Sequence, residues 1–188
     1  MNKNILFGSI ISLMALWGCT DLEEQVLDES LTGAGQAEAV SGAIAPAYGQ
    51  VSNVWLHTRN FGLQLIASDE GILPYRGGTD WFDGGKFMEM HRHLTTPGND
   101  LVADTWNDLA RNISRCLSAI ETLRPLSETG NNEATQALYE MIALRAYLNM
   151  LMLDSWGIVF QKESSNEVSQ VLRREQAIEM FETARGEE

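Results

Sequence analysis

The residues best suited to chemistry in this chain lie between Gly71 and Gly98, in a run that reads Tyr75-Arg76-Gly-Gly-Thr-Asp80-Trp81-Phe82-Asp83-Gly-Gly-Lys. The pairs Gly77-Gly78 and Gly84-Gly85 bracket Thr79 to Asp83 and open backbone angles closed to other residues. An indole face beside carboxylates and a guanidinium suits a saccharide: the C–H face of a pyranose packs on the ring, and the hydroxyls bond to Asp or Arg. The candidate ligand contacts are therefore Tyr75, Arg76, Asp80, Trp81, Phe82 and Asp83. A plainer reading competes with this one. Trp81 or Phe82 can instead plug a small core beneath the loop, and Arg76 and Asp80 can pair with each other. A segment this long with no evident element of its own is functional or disordered, and its aromatic content argues against disorder.

Other chemistry is less well supplied. Asp80-x-x-Asp83-Gly-Gly lacks the alternating oxygen ligands of an EF-hand loop. Glu89-x-His91-x-His93 would set three metal-capable groups on one side of an extended segment, but no fourth ligand is identifiable and no metal site is assigned. No G-x-S-x-G elbow, phosphate loop or dinucleotide fingerprint occurs. The expectation is a binding protein without catalytic residues or cofactor, not an enzyme. Cys116 falls on an apolar helical stripe and reads as a buried structural thiol. Arg145 sits in an otherwise apolar helix, where an unpaired cation is expensive, so it should be paired with a carboxylate or helix-end carbonyls. Trp106 is a second residue assigned a structural role.

Cys19 carries a different chemistry. Lys3 gives a positive start, Ile5 to Trp17 is uncharged, and Leu16-Trp17-Gly18-Cys19 reads as a lipobox. The apolar run is too short to span roughly 30 Å of hydrocarbon, so residues 1–18 read as a cleaved lipoprotein signal peptide. Lipidation of the Cys19 thiol, with palmitate or a similar acid, would anchor the chain, since two or more acyl chains hold where one does not. Residues 19–35, with Asp21, Glu23, Glu24, Asp28 and Glu29, read as an acidic tether. The net charge of −13 makes the chain a poor partner for nucleic acid or anionic headgroups.

The elements that must hold these residues are helical. Ala37, Val40, Ile44, Ala47 and Val51 step by three and four from Gln36 onward, with Pro46 expected to kink the helix. A second helix is expected from near Asn53, carrying Trp55, Leu63 and Ile66 toward Gly71. Val102, Trp106, Leu109, Ile113, Cys116, Ile120 and Leu123 form the clearest stripe, with Asn99 or Asp100 as cap and Arg124-Pro125 as the stop. Asn131 and Asn132 open another helix to about Ser155. In it Ala137, Met141, Leu144, Leu148 and Leu151 share one stripe, and Leu138, Ile142, Met150 and Met152 imply burial on further sides. Residues 161–170 are polar and loop-like. A last helix from about Arg173 to Arg185 turns Ala177, Ile178, Phe181 and Ala184 inward. The fold class is all-α: two helical hairpins and a fifth helix, with a long Gly/aromatic loop inserted between the hairpins. Trp106-x-x-Leu109-Ala110-x-x-Ile113 is a partial match to the first-helix pattern of a tetratricopeptide repeat.

In this order, the lipobox, acidic tether, Ala67-Ser68-Asp69-Glu70, aromatic loop and Trp106 helix resemble the SusD/RagB lipoproteins. The strongest match is Leu144-Arg145-Ala146-Tyr147-Leu148 running to Asp154-Ser155-Trp156-Gly157-Ile158-Val159, with Phe160 where that family usually has proline. The resemblance implies a surface-exposed, lipid-anchored outer-membrane protein. Such a protein captures an oligosaccharide, or less often a peptide, and serves as the lid of a TonB-dependent, SusC-like transporter. It also implies that 36–188 is the N-terminal helical-repeat part of a longer architecture, since family members are much longer. The alternative is a truncated repeat module that contacts the transporter without binding ligand.

Overall fold

The computed structural model describes residues 33–68, 70–74 and 81–186. Cys19 and the lipobox, the acidic tether as far as residue 32, and Tyr75, Arg76 and Asp80 lie outside the described residues. Six helices and one short hairpin follow in order: α1 (Gly33–Val54), α2 (Asn60–Ala67), α3 (Lys86–His91), α4 (Asp100–Glu128), α5 (Asn132–Trp156), β1 (Ile158–Gln161), β2 (Gln170–Arg173) and α6 (Arg174–Gly186). The all-α class holds. The tetratricopeptide detail finds no separate support.

Helix α4 is the axis of the molecule. Its 29 residues span about 43 Å at 1.5 Å per residue. Its seam of Leu109, Ile113, Cys116, Ile120 and Leu123 is buried against Val40, Ala47 and Val54 of α1 and Ala137, Met141, Leu148 and Met152 of α5. A second, smaller core gathers Ile66 of α2, Phe87 and Met90 of α3, and Leu101 at the start of α4. The two long helices start at side-chain caps. Asn99 Oδ1 accepts from Leu101 N–H at 3.0 Å, and Asn131 Oδ1 accepts from Ala134 N–H at 3.0 Å. Each satisfies one of the orphan donors of a helix N-terminus. Gly157, with φ +69°, ends α5 in the left-handed conformation, and its N–H bonds back to Leu153 O at 2.8 Å.

Several boundaries differ from the sequence-based expectations. Pro125 does not stop α4, which runs on to Glu128. A proline in the last turn forfeits one intrahelical bond, and the Ser127 and Thr129 hydroxyls satisfy the Arg124 and Leu126 carbonyls nearby. The first helix, α1, runs to Val54, and α2 begins only at Asn60, where a second helix was expected from near Asn53. Between them residues 55–59 turn back so tightly that a Cβ on Gly62 would lie 1.7 Å from His57 O. The polar stretch expected to be a loop over residues 161–170 is one from 162 to 169, but the segments flanking it, Ile158–Gln161 and Gln170–Arg173, pair as an antiparallel hairpin with Val159 opposite Leu172 and Phe160 opposite Val171. Val159 is buried, and Phe160 packs onto the main core. Ile142 and Met150 of α5 and Ile178 of α6, expected inside, are exposed. Among the described residues no helix is long and apolar enough to cross a membrane.

Two glycines test this packing. Gly62→Ala should destabilise the fold by roughly 2–4 kcal/mol because backbone must move to admit the methyl. Gly49→Ala, at an open helical position with nothing within 4 Å of the new Cβ, should stabilise it by about 0.5–1 kcal/mol. Urea denaturation of the two variants measures both. Cys116 supplies a pH test. Burial pushes its thiol up from 9.0 to about 11, so the unfolded chain loses this proton first. The stabilising effect is complete below pH 9.0 and is lost as pH climbs toward about 11. Cys116→Ala should flatten that part of the stability profile, read as the difference in urea midpoint from wild type across the window.

Candidate functional site

The described part of the loop folds into a corner rather than an open strap. Trp81 (φ +52°) and Asp83 (φ +42°) take left-handed backbone angles, followed by Gly84 (φ +71°) and Gly85 (φ +89°). Left-handed backbone is strained for a side-chain-bearing residue and easy for glycine. So the sequence places its glycines at two of the four turning positions and accepts strain at the other two. The corner is held by three contacts. Gly85 N–H bonds to Phe82 O at 2.6 Å, Asp83 Oδ2 pairs with Lys86 Nζ at 2.9 Å, and that ammonium lies 5.4 Å from the centroid of the Phe87 ring. A one-turn helix, α3, follows at once. Residues 83–91 are therefore helical, where an unbroken loop was expected.

Trp81 combines both competing readings of its role. Its indole meets Phe87 edge-on at 5.9 Å and His57 edge-on at 5.7 Å, yet the residue is 42 % exposed. Phe87, 2 % exposed, is the plug of the small core, and Trp81 lies over it. Phe82 is also 42 % exposed. Asp83 is partly committed, because one carboxylate oxygen is engaged by Lys86. Of the six proposed contacts, the structure brings Trp81, Phe82 and Asp83 to one corner.

Sequence reasoning missed what seats this corner. His57 stands 24 residues before Trp81 in the chain and reaches it only because the 55–59 turn folds back. Beside it, Arg59 bonds Asp108 Oδ2 at 2.6 Å and Asp104 Oδ2 at 3.2 Å, fastening the turn to α4. Asn99 does the same for α3: while its Oδ1 caps α4, its Nδ2 donates to Lys86 O and to Glu89 Oε2, both at 3.0 Å. The spacing Asp83-x-x-Lys86 was a readable signal. The Arg59 contacts, 45 and 49 residues away, were not.

Glu89-x-His91-x-His93 is not an extended row. The segment is helical to His91 and turns at His93, φ +55°, and Glu89 is spent on Asn99. Among the described residues no three His, Cys, Asp or Glu side chains are placed to share a metal. Arg145 takes neither partner expected of it, since its Nη2 donates to Lys162 O, just beyond β1. Trp106 packs edge-to-face with Trp156 at 5.3 Å and with Phe160 at 5.4 Å, which ties α4 to the end of α5 and to β1.

The anchoring of the corner can be measured. Arg59→Met leaves Asp108, only 12 % exposed, beside no guanidinium from the turn, and should cost about 1.5–3 kcal/mol. Arg111→Met removes the exposed partner of the same carboxylate and should cost less than ~0.5 kcal/mol. A smaller effect at Arg59 than at Arg111 in urea denaturation would contradict the anchoring role.

Compared with known proteins, the chain matches no family model, no curated protein and no solved structure.

Proposed function

We propose that this chain is a surface-anchored, glycan-capturing lipoprotein of the SusD/RagB kind. It holds an oligosaccharide against Trp81 and passes it to a partner TonB-dependent outer-membrane transporter. The observation that carries this reading is the Trp81 ring itself, kept partly exposed on a strained backbone over the buried Phe87. A hydrophobic plug gains by complete burial, at about 25 cal/mol per Å² of apolar area. An indole that stops part-way, on a corner fixed by an ion pair and a tight turn, is preorganised to receive a flat apolar face. The acidic flank, through Asp83, offers acceptors for sugar hydroxyls. The anchor at Cys19 and the transporter partner rest on the lipobox and the sequence resemblance alone.

A second reading has its own support. Tyr139, Ile142, Ala143, Ala146, Tyr147 and Met150 of α5 are all exposed, at helical spacings of three, one, three, one and three. They make an apolar face on the side of α5 away from its buried stripe, and such faces mark interaction surfaces. Trp55, in the turn just after α1, extends this face by stacking on Tyr147 at 6.3 Å. This arrangement favours a helical-repeat module that contacts its partner through α5.

The readings separate by experiment. With oligosaccharides added to the protein, Trp fluorescence should change saturably, and Trp81→Ala should weaken binding at least ~10-fold, the loss of a central aromatic contact. If no glycan or peptide from a broad panel perturbs the protein, ligand capture by this chain is wrong. Co-purification with a large outer-membrane barrel, lost in Met150→Lys and kept in Trp81→Ala, would then identify the contact module.

A further inference from the structure

A cleft of about 590 Å³ lies away from the loop that the sequence singles out. Thr95, Thr96 and Pro97 of the α3–α4 connection form part of its lining. Val102, Ala103, Trp106 and Asn107 of α4 and Ser155 and Trp156 at the end of α5 complete it. None of these belongs to the Trp81 corner. The volume is within the range of small-molecule sites, roughly 300–1,000 Å³.

The lining has a definite chemistry. Not one of its nine residues is charged, although 21 % of the chain is Asp, Glu, Lys or Arg and the net charge is −13. A charged ligand would enter without a counter-charge and lose its hydration uncompensated. The apolar part is led by two indoles set nearly perpendicular, at 80°. An edge-to-face contact occupies one face of one ring, and both Trp106 and Trp156 are only partly buried. Indole surface is therefore left to the cleft. The polar part is hydroxyl and amide. Among the described residues the Thr96 hydroxyl and the Asn107 amide have no side-chain hydrogen bond, and both residues are exposed. Rings for a C–H face, with neutral donors and acceptors around them and no ionic group, define one ligand class.

We infer that this cleft is a binding site for a neutral saccharide, distinct from the Trp81 corner. Its sugar packs on the Trp106–Trp156 pair, and Asn107 and Thr96 meet the hydroxyls. The inference follows from the lining and does not depend on the reading proposed for Trp81.

The test uses the full chain, uniformly ¹⁵N-labelled, with each indole N–H signal assigned by single Trp→Phe substitution. Maltose, cellobiose, lactose and N,N′-diacetylchitobiose serve as neutral probes, and glucuronate as the charged control. At least one neutral disaccharide should move the Trp106 and Trp156 signals together and saturably, while glucuronate leaves both in place. The movement should persist in Trp81→Ala with little change in Kd. Ala103→Trp, which fills the cleft, should weaken it at least ~10-fold, as expected where a site is sterically closed. Should that variant lose its native circular dichroism, Asn107→Leu removes the amide at similar volume and should weaken binding about fivefold. Failure of all four neutral probes to move both signals overturns the inference. So does loss of the movement in Trp81→Ala, or an unchanged Kd in a folded Ala103→Trp or Asn107→Leu. Because the Trp81 signal is read in the same spectra, failure at the cleft and failure at the corner are seen separately.

Discussion

One unbroken helix is asked to serve two cores, and most of the structure follows from that constraint. The first turn of α4 gives Leu101 and Val102 to the small core with α2 and α3, and the rest gives its seam to α1 and α5. Neither core could be moved without the other, because a helix transmits displacement along its axis. Asn99 sits where the two demands meet. It is 3 % exposed, caps α4 with one end of its amide and holds α3 with the other. A single buried side chain therefore sets both where the long helix begins and where the helix carrying Phe87 lies.

The Trp81 corner depends on that frame. Left-handed angles at two non-glycine residues store strain of order 1 kcal/mol or more each, which persists only where neighbours over-determine the backbone. Here the neighbours are the Asp83–Lys86 pair, the Phe87 seat and the His57 edge. His57 is itself placed by the 55–59 turn, which Gly62 admits and Arg59 fastens to Asp104 and Asp108. A strained, partly exposed indole backed by successive supports is the usual physical form of a recognition residue. The proposed capture of a glycan rests on this form and not on any catalytic group.

The surface is organised around aromatic rings to an extent its acidic composition hides. One set, Trp81 with Phe82, lies at the corner; a second, Trp106 with Trp156 and Phe160, joins α4 to the end of α5; a third, Trp55 with Tyr147, lies on the α1–α5 face. The middle set serves packing and lines a cleft at once. That double use explains why Trp106 read as purely structural: its stripe position on α4 accounts for its buried edge and says nothing of the side left open.

Periodicity determined the long helices, because a stripe repeating at three and four residues has one way to reach a core. The buried seam of α4, its Asn99 cap, the Asn131 cap of α5 and the burial of Cys116 were all legible in this way. The run of glycines around Trp81 correctly marked a place where the backbone must turn. Local pattern could not say that α4 outlasts Pro125, that residues 158–161 and 170–173 pair as strands, or that Ile142, Met150 and Ile178 face outward. Each of those depends on which neighbour arrives, and apolar residues alone do not specify that. The candidate sites were legible as residue types and not as arrangements. His57, Arg59 and Asn99 support the corner from far along the chain, and Trp156 meets Trp106 across 50 residues. A sequence fixes what each short segment prefers; only tertiary packing decides which distant side chains share a site, because their contacts form after the chain has closed loops that no local preference encodes.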